Sequence, residues 1–368
     1  MTPSLLARLS QLGPPTESLH LRRAWPKGED RLLLEYADDG GSTVAGQWHA
    51  DRDAGEAIAR ATPGATWVPE AAVVLQRGGA DRRLPAVARL LAEPGATLVV
   101  HRPEWRAVVR RPGPTYAKVV RPERAAAVLA ADRAARDTDV VVMPDLLATN
   151  LDDGVLEWAE LPGRALYDLL LDTTVGAQDL ARAGAAAGRA VRALHGAAPP
   201  PGVPRHSPAA EVAAAGRWVR PATALSTVPT GLDRALRHAA DLLAEPAGPP
   251  VLVHRDLHEK QALIDGDRAG LLDVDTLAVG DAAVDLANLL VHLDLRTALG
   301  LPPERGRAVA DAFLDAYQPT AEIVARIPAY TASTRVRLAC VYAFRPAEQA
   351  GAARLITDPT DPTDPTGR

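Results

Sequence analysis

The carboxylates of Asp256, Asp273 and Asp275 and the amide of Gln261 lie within one short stretch of the chain, 254–275. Phosphoryl transfer needs a carboxylate that orients and deprotonates the attacking hydroxyl, and hard oxygen ligands for the Mg²⁺ that bridges the nucleotide phosphates. We therefore expect Asp256 to be the catalytic base and Gln261 and Asp273 to be metal ligands. Asp275 is expected either as a second metal ligand or as a group that supports the first.

The elements around these residues are predicted to bring them together. Pro250–Val253 is a short apolar run typical of a buried strand, and it leads into a loop that ends at Gln261. A second strand, Ala262–Ile264, is followed by the turn Asp265–Asp267. The next run, Gly270–Asp275, returns beside the first loop, so the acids and the amide can converge.

Three linked motifs in this region resemble the aminoglycoside phosphotransferase and choline kinase superfamily. They are His254-x-Asp256-Leu257-His258-x-x-Gln261, Leu272-Asp273-Val274-Asp275 and Gly280-Asp281-Ala282-Ala283-Val284-Asp285-Leu286-Ala287. The family pattern reads His-Gly-Asp-Leu-His-x-x-Asn, Ile-Asp-Trp/Phe-Asp/Glu and Gly-Asp-Pro-x-x-Asp-Leu-Ala. Arg255 replaces the family glycine and Gln261 replaces the asparagine. The maltokinase and glucosamine kinase branch resembles this chain in using glutamine, which makes a sugar acceptor a candidate.

The resemblance implies an α+β, bilobal protein-kinase-like fold with a β-rich first lobe and a helical second lobe, and it implies ATP, or GTP, with Mg²⁺. Lys118 would bind the α- and β-phosphates, and it is one of only three lysines in the chain, the others being Lys27 and Lys260. Its carboxylate partner is left open between Glu123 and Asp132.

The resemblance also implies an adenine-binding hinge and residues that support the loop. Backbone groups near Glu157 and Ala159 would pair with adenine, while His254 and Asp285 would hold the catalytic loop. No Gly-x-Gly-x-x-Gly loop precedes Lys118, and the turn 102–105 is the best candidate for covering the phosphates.

Four segments are predicted from composition and pattern. Residues 1–90 form a β-containing, cap-like subdomain, with a hairpin across 38–41. Residues 91–163 form the first kinase lobe and hinge, including an antiparallel meander from Ala96 to Val120. Residues 164–356 form the helical lobe with the catalytic loop. Residues 357–368 repeat Asp-Pro-Thr and are expected to be disordered.

Charge and composition exclude several classes of protein. A net charge of −5 provides no broad basic field, so we expect no nucleic-acid partner. One cysteine permits no intramolecular disulfide, which favours a reducing, cytoplasmic setting. No apolar stretch is long enough to cross a membrane. Aromatic residues make up only 4%, so short side chains must pack closely approaching helices.

The expected reaction is transfer of the γ-phosphate to a hydroxyl of a small molecule: an aminoglycoside, a sugar or an amino alcohol. Five acids after residue 281 could bind a cationic acceptor, or could be solvated helix faces: Asp294, Glu304, Asp311, Asp315 and Glu322. Two alternatives remain, a kinase that acts on Ser or Thr of a peptide or natural product, and a nucleotide-binding pseudokinase. No Ala-Pro-Glu segment follows Asp273, which argues against an ordinary protein kinase.

Overall fold

The computed structural model of the protein describes residues 4–12, 18–226, 228, 231–245 and 248–356. Strands dominate up to Ala159 and helices dominate after it, so the predicted α+β class with a β-rich first part and a helical second part is confirmed. The segment 357–368, which we predicted to be disordered, lies outside the described residues.

A six-stranded antiparallel sheet occupies the N-terminal part, in the order β1-β2-β3-β4-β6-β5. Its strands are β1 (Gln11–Leu12), β2 (Leu19–Pro26), β3 (Arg31–Ala37), β4 (Thr43–His49), β5 (Ala65–Val68) and β6 (Val73–Gln76). Helix α1 (Leu5–Leu9) precedes the sheet, and α2 (Arg52–Ala61) lies between β4 and β5. The predicted hairpin joins β3 to β4, and Gly41 N–H donates to Asp38 O at 2.9 Å to close its turn.

A second antiparallel sheet has five strands in the order β10-β11-β9-β8-β7. They are β7 (Thr97–Arg102), β8 (Arg106–Arg111), β9 (Thr115–Val120), β10 (Leu146–Asn150) and β11 (Val155–Ala159). The first three form the predicted meander. Helix α3 (Ala86–Leu91) packs on one face, where Val87 and Leu90 meet the buried side chains of β8 and β9, and α4 (Pro122–Arg136) packs against Val120 and Leu156.

The rest of the chain is mainly helical. The helices are α5 (Leu166–Leu171), α6 (Ala177–Gly196), α7 (Pro208–Leu225), α8 (Leu232–Leu243), α9 (Ala283–Ala298), α10 (Pro303–Tyr317), α11 (Ala321–Tyr342) and α12 (Gln349–Ala353). Five short strands lie among them: β12 (Arg164–Ala165), β13 (Val251–Val253), β14 (Ala262–Asp265), β15 (Arg268–Leu271) and β16 (Ala278–Gly280). Strands β12, β14 and β15 form one small sheet, and β13 pairs with β16.

Helices α6 and α10 approach each other closely because glycines lie at their contact. A Cβ atom on Gly184 would lie 2.4 Å from Val309 O, and one on Gly188 would lie 2.3 Å from Phe313 O. Both distances are far below van der Waals contact, so the contact requires a residue without a side chain at both positions. This is the close helix packing that the low aromatic content predicts.

The N-terminal sheet is anchored on the helical part of the chain. Buried side chains of β3, including Leu32 and Tyr36, share a core with Val219 of α7, Val336 of α11 and Phe344. Burying a side chain of this size contributes about 1.5–3 kcal/mol. The N-terminal sheet therefore rests on helices α7 and α11 of the C-terminal part of the chain.

Among the described residues, no helix combines the length and the apolar character needed to span a bilayer.

Candidate active site

One buried carboxylate holds the start of the catalytic loop 254–261 in place. Asp285, at the start of α9, is fully buried, and it accepts hydrogen bonds from His254 N–H and Arg255 N–H, both at 2.7 Å. Burial alone would raise the pKa of Asp285, but the hydrogen bond from His195 and the contacts with His254 outweigh burial and lower it. Asp285 is therefore an ionised group that accepts hydrogen bonds from the start of the loop.

His195 is a partner of Asp285 that the sequence did not reveal. A histidine at the end of an alanine-rich helix such as α6 is typical of a packing residue. Instead, the Nε2 of His195 lies 3.0 Å from Asp285 Oδ2 and its Nδ1 lies 2.8 Å from the Tyr317 hydroxyl. With Nε2–H donating to the carboxylate, Nδ1 accepts from Tyr317. The only available signal was that a buried histidine needs polar partners.

His254 connects the catalytic loop to the segment directly after β15 that carries Asp273. Its side chain is buried, Nε2 donates to Leu272 O at 2.8 Å, and Nδ1 accepts from Asp256 N–H at 3.3 Å. Thr276 donates its hydroxyl to His254 O at 2.8 Å. Asp256 and Asp273 are thus fixed relative to each other through a single side chain.

Arg255 adopts a backbone conformation that explains why the family pattern has glycine there. Its φ is +69°, in the left-handed region that non-glycine residues rarely occupy. Two contacts hold it: its N–H donates to Asp285 and its Nη1 donates to Thr276 O at 3.3 Å. Asp273 likewise has a positive φ, +58°.

Lys118 joins the two lobes at the predicted site. Its Nζ lies 2.7 Å from Asp273 Oδ1 and 2.5 Å from Asp275 Oδ2. Neither expected partner contacts it. Glu123 is exposed and lies 3.9 Å from Arg121, because the first turn of α4 faces solvent there. Asp132 is buried but accepts from Arg136 and from Trp158 Nε1 instead.

Arg106 is a second cation at this site that the sequence analysis missed. Its Nη1 donates to Asp273 Oδ2 at 2.9 Å. Burial alone would raise the pKa of Asp273, but Lys118 and Arg106 outweigh burial and hold it far below its usual value. The available signal was strand register: Arg106 pairs with Val120, two residues after Lys118, so both cations lie on one face of the sheet.

The donor atoms near Asp273 suit a hard divalent cation. Gln261 O accepts from Leu272 N–H at 2.9 Å, which places Gln261 beside the residue that precedes Asp273. The carboxylates of Asp273 and Asp275 and the amide oxygen of Gln261 are the oxygen ligands that Mg²⁺ prefers. The predicted ligands are therefore grouped at one end of the β14–β15 hairpin.

The other side of the catalytic loop carries imidazoles and a neutralised acid. His258 and His292 stack with centroids 4.7 Å apart, and burial lowers the pKa of His258 to about 4. Glu259 is fully buried and pairs with Arg296 at 2.7 Å. Asp256 is close enough to lie among the charges that act on both histidines. On this wall the His258 imidazole is therefore neutral, and the Glu259 carboxylate is paired with Arg296.

The predicted adenine contacts need correction. Glu157 and Ala159 lie in β11, which is paired on both sides by β10 and β9. Ala159 N–H donates to Asp145 O at 2.9 Å, and the Glu157 carboxylate accepts from Arg111 at 2.6 Å. Because a central strand uses its backbone groups within the sheet, the Ala159 N–H has no capacity left for a nucleotide. Glu160 N–H likewise donates to Pro114 O at 2.7 Å, so the chain leaves these backbone contacts only at residues 161–163.

The five acids proposed for a cationic acceptor lie on outer helix faces. Each is exposed: Asp294, Glu304, Asp311, Asp315 and Glu322. Asp294 lies 3.3 Å from Arg335, a weak pair at the surface. The structure therefore places them as solvated charges.

A family comparison accounts for most of the chain. The model of the APH phosphotransferase enzyme family matches residues 87–329, a range that includes Lys118 and the catalytic loop. Residues 1–86 precede the match. A search of curated proteins found no match to the chain.

Solved structures resemble the chain at low sequence identity. A choline/ethanolamine kinase family protein from Mesorhizobium loti is 19% identical with a TM-score of 0.51, over 77% of this chain and 95% of that one. Aminoglycoside phosphotransferase APH(3'')-Id from Streptomyces rimosus ATCC10970 is 22% identical with a TM-score of 0.52, over 69% and 98%. These likenesses confirm the predicted kinase-like fold. Together with the family match, they place the chain in the APH phosphotransferase enzyme family, as a small-molecule kinase with an alcohol group as acceptor.

Proposed function

We propose that the protein transfers the γ-phosphate of ATP, bound with Mg²⁺, to a hydroxyl of a sugar or another neutral polyol. The observation that carries the proposal is the convergence of Lys118, Asp273 and Asp275 at 2.5–2.7 Å. They lie beside a loop in which His254 contacts both Asp256 N–H and Leu272 O, next to Asp273. Phosphoryl transfer depends mainly on positioning and charge stabilisation, and this arrangement supplies both.

Each residue has a proposed role in that reaction. Asp256 orients the acceptor hydroxyl and accepts its proton, and Lys118 binds the α- and β-phosphates. Gln261, Asp273 and Asp275 are proposed to hold Mg²⁺, which would neutralise the charge of the β- and γ-phosphates. His254 and Asp285 hold the loop, and backbone groups of residues 161–163 are proposed to bind the base, with ATP preferred and GTP as the alternative.

Gly163 supports the assignment of the hinge. Its φ is +115°, and a Cβ there would lie 2.6 Å from Ile264 O of β14. A glycine is therefore needed at position 163, where the chain between β11 and β12 passes close to β14. The division into a cap (1–90), a first lobe with hinge (91–163) and a helical lobe (164–356) remains our proposal.

The choice of a neutral acceptor rests on the charges around Asp256. Among the groups on which the charge of Asp256 acts, Arg106 and Arg255 are cations, and burial lowers the pKa of His258 and of His292. Glu259 is neutralised by Arg296. A polycationic aminoglycoside would need carboxylates without partners, whereas hydroxyl groups can bond to imidazoles and amides. The Streptomyces rimosus relative has a structure in complex with ADP and streptomycin, so aminoglycosides belong in the test.

The test measures nucleotide binding and turnover together. ATP is expected to raise the melting temperature more than GTP, and only with Mg²⁺ present. Nucleotide turnover is then measured across a panel of sugars, amino alcohols and aminoglycosides. Turnover stimulated by sugars supports the proposal, stimulation only by aminoglycosides overturns the neutral acceptor, and binding without turnover of any acceptor in the panel would favour a pseudokinase.

A further inference from the structure

Four cationic side chains surround one tryptophan at the turn between β7 and β8. Lys27 Nζ lies 4.2 Å and the Arg124 guanidinium 4.1 Å from the centroid of Trp105. Arg102 lies at 5.2 Å and Arg121 at 6.0 Å. They come from three places: the end of the N-terminal strand β2, the second sheet and the first turns of α4. All are half-buried, so the cluster is partly desolvated but open to solvent.

The acids near this cluster do not balance it. Glu104, in the same turn, is buried and already bridges Arg31 at 2.6 Å and Arg82 at 2.9 Å. Among the described residues, no ion pair joins Lys27, Arg102 or Arg124 to a carboxylate. Burial and neighbouring guanidinium groups lower the pKa of Lys27 to about 8 and that of Arg102 to about 10. The cluster thus has positive charge without a counter-charge.

The register of β7 and β8 places two arginines next to each other, of which only one has an acidic partner. Arg102 and Arg106 are directly opposite each other, so their side chains lie on one face, and like charges in that position repel. Arg106 is neutralised by Asp273 at 2.9 Å. The Nε of Arg102, in contrast, is buried and has no hydrogen-bond partner. An unpaired buried donor of this kind is costly unless a ligand accepts from it.

We propose that Lys27, Arg102 and Arg124 form a binding site for a phosphate-type oxyanion beside Trp105, built jointly by the N-terminal sheet and the second sheet. Guanidinium groups match tetrahedral oxyanions through paired N–H donors, and an ammonium adds a point charge. The phosphate group could belong to the nucleotide or to a separate phosphorylated molecule, since both present the same chemistry. The site requires no transfer activity, so its test is independent of the proposed reaction.

The test measures binding of inorganic phosphate and pyrophosphate to the full chain by calorimetry, with chloride added to match ionic strength. Arg102→Gln is expected to weaken pyrophosphate binding about tenfold, which corresponds to one charge-assisted contact. Arg133→Gln removes an exposed charge from the same helix as Arg124 and is the matched control, with unchanged binding. Because Arg102 lacks a counter-charge, Arg102→Gln is also expected to unfold at the same or a higher urea concentration than the wild type.

A purely structural role for Arg102 predicts the opposite pattern, with lower stability and unchanged anion binding. Competition then identifies the source of the phosphate group. If ATP displaces pyrophosphate, the site takes the nucleotide's phosphates, and if both bind together, it takes a separate phosphorylated molecule. Phosphate and pyrophosphate binding no tighter than chloride, or equal binding by wild type and Arg102→Gln, would overturn the proposal.

Discussion

Replacing Asp285 by Asn tests whether one buried carboxylate holds the catalytic loop. Its Oδ2 accepts from His254 N–H and His195, and its Oδ1 accepts from Arg255 N–H, at distances of 2.7, 3.0 and 2.7 Å. In either orientation the Asn amide places an NH₂ group against a donor, so at least one buried N–H loses its acceptor. That loss costs about 1–3 kcal/mol, and weakening the remaining charge-assisted bonds adds about 1 kcal/mol. We therefore expect Asp285→Asn to lower the free energy of unfolding by about 3 kcal/mol.

The assay is urea unfolding followed by intrinsic fluorescence, with Asp294→Asn as the matched control. Asp294 lies on the same helix but is exposed, and its contact with Arg335 is a surface pair at 3.3 Å, so its replacement should change stability by less than about 0.5 kcal/mol. If Asp285→Asn lost no more stability than the control, the loop would not depend on this anchor.

Four further results are expected. Lys118→Met should weaken nucleotide binding at least about tenfold by calorimetry, and unchanged affinity would remove Lys118 from the site. Glu104→Gln should cost about 2 kcal/mol in urea unfolding because it leaves two arginines without their buried partner, and a neutral effect would contradict that pairing. Gly188→Ala should destabilise by at least about 1 kcal/mol, since the new Cβ meets a backbone oxygen at 2.3 Å, whereas Gly196→Ala, with open space, should be neutral. Because folding lowers the pKa of Asp285, its contribution should be complete above about pH 5 and should decline as the pH falls below about 4, so wild type and Asp285→Asn should converge in acid; a constant difference would be inconsistent.

Local features of the site could be predicted because the residues that form them are close together in the sequence. The loop 254–261 and the return strand before Asp273 are separated by one short hairpin, so turn residues and apolar runs were enough to bring them together. Lys118 was recognisable because lysine is rare in this chain. The meander 97–120 followed from short apolar runs with turns of known composition.

Contacts between distant segments could not be predicted in the same way. The partner of Lys118 depends on how the two lobes meet, and the contacts of Asp273 with Lys118 and Arg106 span more than 150 residues. His195 reaches Asp285 only because α6 and α9 are neighbours in the fold. The adenine contacts were misplaced because a β-like run does not reveal whether its strand is central, with its backbone groups already paired.

The most direct test of the proposed mechanism is phosphoryl transfer by Asp256→Asn, measured with the acceptor that the panel identifies. The change removes the base but keeps the size of the side chain, so transfer should fall by about 10²–10⁴-fold. Mg²⁺-dependent stabilisation by ATP should be retained, since Lys118 and Asp273 are untouched. Full transfer activity in Asp256→Asn would contradict the assignment of the catalytic loop.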